Sequence, residues 1–322
     1  MQNFNYHSHT YRCMHSDQDM SDEEYIKDYI NMGFKKIAIT DHCPEKNVID
    51  IRPRVRMSYN QKEEYLQSIR ELKEKYKNQI EIKVGYEVEY LPGEEENIKE
   101  LKDETDIIVL GQHFIYNKDK ELRILGKCDY TDEEIVEYAK YIEKAMELNI
   151  PDIVAHPDLY MQRRKDFGEV ETKVANMICK AAEKYKIPLE INLNNIFQRT
   201  YNENRILNNL PLEEQRKKLI NVQYPRREFW EIACNYNLKI IYGIDAHYRG
   251  QIPVWNELVQ LANEIIGETT IKRLNFVENI DKDTKKEEIE YIENLLKKGQ
   301  NISIKASKDK KLEEKIKKFS NY

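Results

Sequence analysis

Short apolar runs that stop at a histidine, separated by longer segments of helical period, constrain this chain more than any other feature. Lys36–His42, Asp106–His113, Asp152–His156 and Lys239–His247 each read as a buried strand ending on an imidazole, and Ile80–Glu89 reads as one ending on carboxylates. Between them, Asp22–Met32, Tyr59–Tyr76, Glu94–Lys102, Asp132–Leu148, Val170–Tyr185 and Arg226–Asn235 read as helices, with Gly33 as the stop of the first. An opening strand near Asn3–His9 and a sixth at Pro188–Leu193 bring the count to seven strands in βαβα order, the rhythm of an α/β protein. In a barrel of parallel strands the C-terminal strand ends share one face, and that face carries the active site. His7, His9, His42, Glu87, His113, His156, Asp245 and His247 are therefore expected to converge on one pocket.

The segment Tyr6–Asp17 holds three of the seven histidines. Side chains alternate along an extended chain, so His7 and His9 point the same way and can grip one ion together. His15 follows across a short polar loop, placed to reach that ion or a neighbouring one. Every histidine lies in this cluster or directly after a predicted strand, and none lies in a helix or in the last 75 residues. Ring nitrogens gathered in this way are the signature of a metal site.

A length of 322 residues suits one barrel domain, expected over 1–280, with a polar insertion at 200–222 that forms a lid or a solvated loop. From 281 to 322 the chain turns strongly charged, with i,i+4 Glu–Lys pairs that predict an exposed helical extension. A net charge of −6, from 52 basic and 58 acidic residues, excludes a general nucleic-acid or membrane-surface binder and leaves room for a small anionic ligand. Five scattered cysteines without a CxxC pair fit reduced thiols and a cytoplasmic location. No signal peptide is recognisable, and no apolar run approaches the roughly 20 residues of a membrane span.

The pattern His7-x-His9-Thr10, Thr40-Asp41-His42, Gly85-x-Glu87-x-Glu89, Gly111-Gln-His113-Phe, Ala155-His156-Pro-Asp158 and Asp245-Ala-His247 resembles the PHP (polymerase and histidinol phosphatase) superfamily. Cys13-Met-His15, Glu87-Val-Glu-Tyr90 and His113-Phe-Ile115 are similar to its histidinol-phosphatase branch, and the resemblance runs over about residues 1–248. It implies a distorted (β/α)7 barrel, in keeping with the strand count. It also implies three divalent ions: one on His7, His9, Glu87 and Asp245, a second on Glu87, His113 and His156, and a third on His15, His42 and His247. Glu87 then bridges two ions. Imidazole plus carboxylate suits zinc, manganese or iron, without selecting among them.

The activity implied is hydrolysis of a small phosphorylated substrate, L-histidinol phosphate, in histidine biosynthesis. Enzymes accelerate such reactions by up to about 10²¹, whereas side-chain acid–base catalysis contributes roughly 10²–10⁴. Metal ions close the gap, and the mechanism expected is attack of a metal-bridging hydroxide on phosphorus, with an arginine on the phosphoryl oxygens. Arg163 and Arg164, after the fifth strand, and Arg199, after the sixth, are the candidates, with Arg226 and Arg227 weaker because they open a helix. Asp17, Asp41 and a metal-bound water are the candidates for the general acid. The alternatives are another phosphoesterase of the superfamily, acting on a nucleotide, phosphotyrosine or sugar phosphate, and, from a different class, an amidohydrolase or a non-catalytic metal-binding regulator. A nuclease would show a basic track, which the chain lacks. An amidohydrolase would want a bridging lysine where Glu87 stands.

Overall fold

Runs such as Ile107–Leu110 are apolar at every position and buried on both faces, which is the environment of an interior parallel strand. A computed structural model of the chain describes residues 2–44, 46, 55–125, 128–202, 223–278 and 280. Seven strands pair in parallel: β1 (Phe4–Asn5), β2 (Lys36–Ile39), β3 (Glu81–Val88), β4 (Ile107–Leu110), β7 (Ile153–Val154), β8 (Leu189–Asn192) and β9 (Ile240–Gly243), in the spatial order β1-β2-β3-β4-β7-β8-β9. The two edges nearly meet. Ser8 bridges to Ala246, the His9 amide donates to the Ala246 carbonyl at 2.8 Å, and the Gln2 side chain bonds both the amide and the carbonyl of Tyr242. The result is a nearly closed (β/α)7 barrel, as the strand order requires.

The crossovers are α1 (Asp22–Asn31), α2 (Lys62–Tyr76), α3 (Glu95–Asp103), α4 (Asp132–Glu147), α5 (Glu169–Tyr185), the short α6 (Asn194–Phe197) and α7 (Arg227–Ala233). Ser21 with Glu24, and Thr131 with Glu134, form capping boxes that satisfy the first amides of α1 and α4. On α4 the residues Ile135, Tyr138, Ala139, Ile142, Ala145 and Met146 form one buried stripe at helical spacing. Each strand and helix predicted within the barrel has its counterpart, displaced by a few residues at the ends.

Two features were not foreseen. An antiparallel hairpin, β5 (Phe114–Tyr116) with β6 (Leu122–Ile124), follows His113, and a further helix, α8 (Trp255–Ile266), follows the last strand. Contacts divide the chain into Met1–Glu278 and Asn279–Tyr322. The expected charged extension 281–322 and nearly all of the expected insertion 200–222 lie outside the described residues.

Candidate metal centre

The strand tips bring together six of the seven histidines and both predicted carboxylates, and the N-terminal loop delivers His15 beside them. His7 and His9 leave β1 on the same side, with 3.3 Å between their Nε2 atoms. The Asp245 Oδ1 atom, just past β9, lies 3.4 Å from His7 Nε2 and 3.1 Å from His9 Nε2. Glu87, on β3, completes the group at 3.4 Å from each of these nitrogens, through Oε1 to His7 and Oε2 to His9. Donor atoms about 2.0–2.2 Å from one tetrahedral ion lie roughly 3.3 Å apart. His7, His9 and Asp245 already hold that spacing, and Glu87 closes on it with one oxygen toward each imidazole.

Glu87 faces outward to further ligands. Its Oε1 is 3.1 Å from His156 Nε2 and 3.9 Å from His113 Nε2, and its Oε2 is 3.0 Å from His42 Nδ1. The His15 ring centre stands 4.5 Å from that of His247 and 5.4 Å from that of His42, at the exposed lip of the cluster. Overlapping trios (His7–His9–Asp245, His7–Glu87–His156, His9–His42–His247 and Cys13–His15–His247) have their ligand atoms within 4.8 Å of one another.

Three buried atoms at the heart of the cluster, Glu87 Oε2, Asp245 Oδ1 and His247 Nε2, have no hydrogen-bond partner. Several nitrogens and oxygens approach within 3.0–3.4 Å without hydrogen-bond alignment. Such crowding of lone pairs is what a divalent cation resolves, so the residues fit one or more metal ions.

Electrostatics agree. Burial opposes charge on Glu87 and Asp245, but the surrounding histidines outweigh it and hold both carboxyls well below the usual range. Burial likewise opposes protonation of His9, but the neighbouring carboxylates of Asp245, Asp41 and Glu87 lift it to about 9. For His42 and His247, burial, with the charge on His9 behind it, drives both well below the ordinary imidazole value. Two ionised carboxylates buried among imidazoles make the pocket a place that attracts positive charge.

A layer behind the ligands sets their orientation, and most of it had not been singled out. Both Glu190 oxygens lie 3.1 Å from His7 Nδ1, turning Nε2 toward the cluster. Glu89 Oε1, 2.8 Å from His113 Nδ1, does the same there. The Nδ1 atoms of His15 and His247 face the carbonyls of Cys13 and Asp245, at 2.7 and 3.0 Å. Asn192 donates to both Glu190 and Asp245, and Asn194 also donates to Asp245. His156 and Asp245 adopt left-handed backbone with φ of 30° and 51°, a strain of about 1–3 kcal/mol each that the surrounding contacts must offset.

The candidate acids and arginines are dispersed. Asp41 is fully buried and accepts from the amide and hydroxyl of Thr10 beside His9. Asp17 accepts from the Arg249 amide at 2.7 Å. Arg163 is half-exposed and bound to Asp129 at 2.7 Å, whereas Arg164 ties Asp132, Glu171 and the Tyr130 carbonyl together. Arg199 is half-buried in the turn Gln198–Asn202 that follows α6. Arg226 bonds Glu228 and the Lys165 carbonyl, and Arg227 bonds the Ile265 carbonyl.

Comparison with known proteins gives this geometry a context. The sequence profile of the PHP domain family matches residues 5–194, which leaves Asp245 and His247 beyond the matched span. The Bacillus subtilis histidinol-phosphatase is 29% identical over 154 residues, covering 46% of this chain and 57% of that protein, so the chain spans little more than half the length of the curated relatives it matches. A structure of histidinol phosphate phosphatase from Lactococcus lactis, complexed with zinc, L-histidinol and phosphate, aligns with a TM-score of 0.55 at 17% identity, over 81% of this chain and 94% of that one. A Listeria monocytogenes structure assigned as a histidinol phosphatase gives a TM-score of 0.62 at 20% identity, over 77% and 97%. At these identities the two structures establish the shared fold.

Proposed function

We propose a function from one premise: the chain belongs to the PHP domain family. It is a metal-dependent phosphomonoesterase, and its substrate is L-histidinol phosphate, hydrolysed to L-histidinol and phosphate. The observation that carries the metal part is the spacing of 3.1–3.4 Å among His7 Nε2, His9 Nε2 and Asp245 Oδ1, with one Glu87 oxygen 3.4 Å from each imidazole. The names of the matched relatives support the substrate.

In this reading three ions are held, the first by His7, His9, Glu87 and Asp245, the second by Glu87, His113 and His156, and the third by His15, His42 and His247. Bound divalent ions supply hydroxide near neutral pH and neutralise phosphoryl oxygens. The chain's own residues do the rest. Glu87 turns Oε1 toward His7, His113 and His156 and Oε2 toward His9 and His42, while Glu190 and Glu89 keep the Nε2 lone pairs of His7 and His113 pointing inward. Arg199 is the phosphate clamp retained here, because it follows Asn192 and Asn194 on the same crossover.

Steady-state kinetics with histidinol phosphate, p-nitrophenyl phosphate and a dinucleotide diester test the proposal. A clear preference for histidinol phosphate supports it. Arg199→Ala should then lower kcat/KM by about one to two decades while metal content stays constant, since a charge-assisted hydrogen bond contributes about 1.5–3 kcal/mol. Faster turnover of the diester, with Arg199→Ala like the wild type, would point instead to a broader phosphoesterase.

A further inference from the structure

Tyr224 has a polar end that neither the fold nor the proposed ligand sets use. Only 7% of the residue is exposed, and its ring meets the edge of the His156 ring at 6.3 Å between centroids. Among the described residues nothing hydrogen-bonds its hydroxyl. A Tyr hydroxyl on a largely buried residue normally finds a partner, so this phenol, held beside the cluster, is a donor with no acceptor among the described residues.

It is held deliberately. Asp158 Oδ2 accepts from the Arg226 amide at 2.6 Å and from Trp230 Nε1 at 3.1 Å, pinning the turn Tyr224-Pro225-Arg226 onto the turn His156-Pro157-Asp158. From below, the Tyr138 hydroxyl donates to the carbonyls of His156 and Pro157, at 3.4 and 3.3 Å. The strand tip that carries His156 and the ring that covers it are thus fixed together, independently of anything the Tyr224 hydroxyl does.

The electrical surroundings narrow the acceptor. A tyrosine hydroxyl, with an ordinary pKa of about 10, carries its proton at neutral pH, and the carboxylates of Asp245, Asp158, Glu87 and Glu190 lie within electrostatic reach of this one. A lysine or arginine at this point would be captured by those carboxylates and would compete with bound cations. A neutral O–H can still donate to an anion and adds no charge to the ligand set.

We propose that the Tyr224 hydroxyl donates a hydrogen bond to a phosphoryl oxygen of the bound substrate, on the His156 side of the cluster, making Tyr224 a substrate-contacting residue. The proposal rests on the phosphomonoesterase reading and adds a residue to it.

Tyr224→Phe in the full zinc-loaded chain is the test, because phenylalanine keeps the ring against His156 and removes only the donor. Metal content by elemental analysis should be unchanged. Calorimetric binding of inorganic phosphate and kcat/KM on histidinol phosphate should each fall roughly ten- to a hundredfold, the range of a hydrogen bond to a charged group. Wild-type phosphate affinity and turnover in the variant would overturn the proposal while leaving the phosphatase reading intact. If the wild type hydrolyses no monoester, that reading fails, and phosphate binding decides the role of Tyr224 alone: weaker binding by the variant sustains it and equal binding ends it. A wild type that binds no phosphate overturns both.

Discussion

Glu87 does the most at the level of single residues, since its two oxygens touch the donor atoms of His7, His9, His42 and His156. Removing it deletes a shared ligand, whereas removing one imidazole deletes a single bond. Glu87→Ala should therefore lose more metal and more turnover than alanine at any one histidine, as read by elemental analysis and kinetics on the same preparations. A Glu87→Ala protein with normal metal content and rate would remove the bridging role. Two glycines guard the same geometry. A Cβ on Gly111 would fall inside the Glu87 carboxylate, and a Cβ on Gly243 inside that of Glu190. Gly111→Ala should accordingly reproduce much of the Glu87→Ala defect. Gly243→Ala, acting through the Glu190–His7 pair, should weaken metal affinity about 10- to 100-fold, the usual effect of losing such a support. Equilibrium dialysis against zinc separates these outcomes, and unchanged affinity in both variants would show that the carboxylates can move aside without consequence.

Among the elements, the helices serve stability and the strand ends serve the site, so the two kinds of damage should separate. Thr131 caps α4 through a reciprocal box with Glu134, and Thr131→Ala should cost about 1 kcal/mol, lowering Tm by roughly 2–4 °C in thermal unfolding. Metal content and kcat should not change; a loss of either would mean that α4 shapes the site directly. The same division explains what could be read from the sequence. Strand tips carrying His42, His113, His156 and His247 were legible because a continuous apolar run announces the strand and an imidazole at its end has little reason to be there otherwise. Glu190 was not legible as a partner of His7, 183 residues away, because in a chain with 34% charged residues a glutamate inside a strand carries no label. Arg163 and Arg164 were visible as cations after a strand, but their pairing with Asp129, Asp132 and Glu171 depends on how α4 and α5 begin in space. The hairpin β5–β6 has strands of three residues, too short for a period to show. By contrast Trp255, Leu258, Val259, Ala262 and Ile266 of α8 repeat at helical spacing, a signal present in the sequence and passed over.

At the scale of the molecule, the described residues form a barrel whose seven strand ends deliver residues distant in sequence to one centre, so metal binding and fold stability should be coupled. Ions that bind the assembled cluster and not the unfolded chain stabilise the folded state by mass action. Chelation should lower Tm by on the order of 5–10 °C, and zinc should restore it; a Tm indifferent to chelator would mean that the cluster stands without metal. Protein purified without chelator should carry close to three ions per chain, because the nine ligating side chains proposed are too many for one ion. One ion or none by elemental analysis would end the trinuclear assignment. Hydrolysis of L-histidinol phosphate before chelation, after it, and after zinc is returned measures the metal's part in the activity most directly. Phosphate release should be lost with the metal and recovered with it. Release that survives complete metal removal, or no release from the fully loaded protein, would contradict the metal-dependent phosphatase reading.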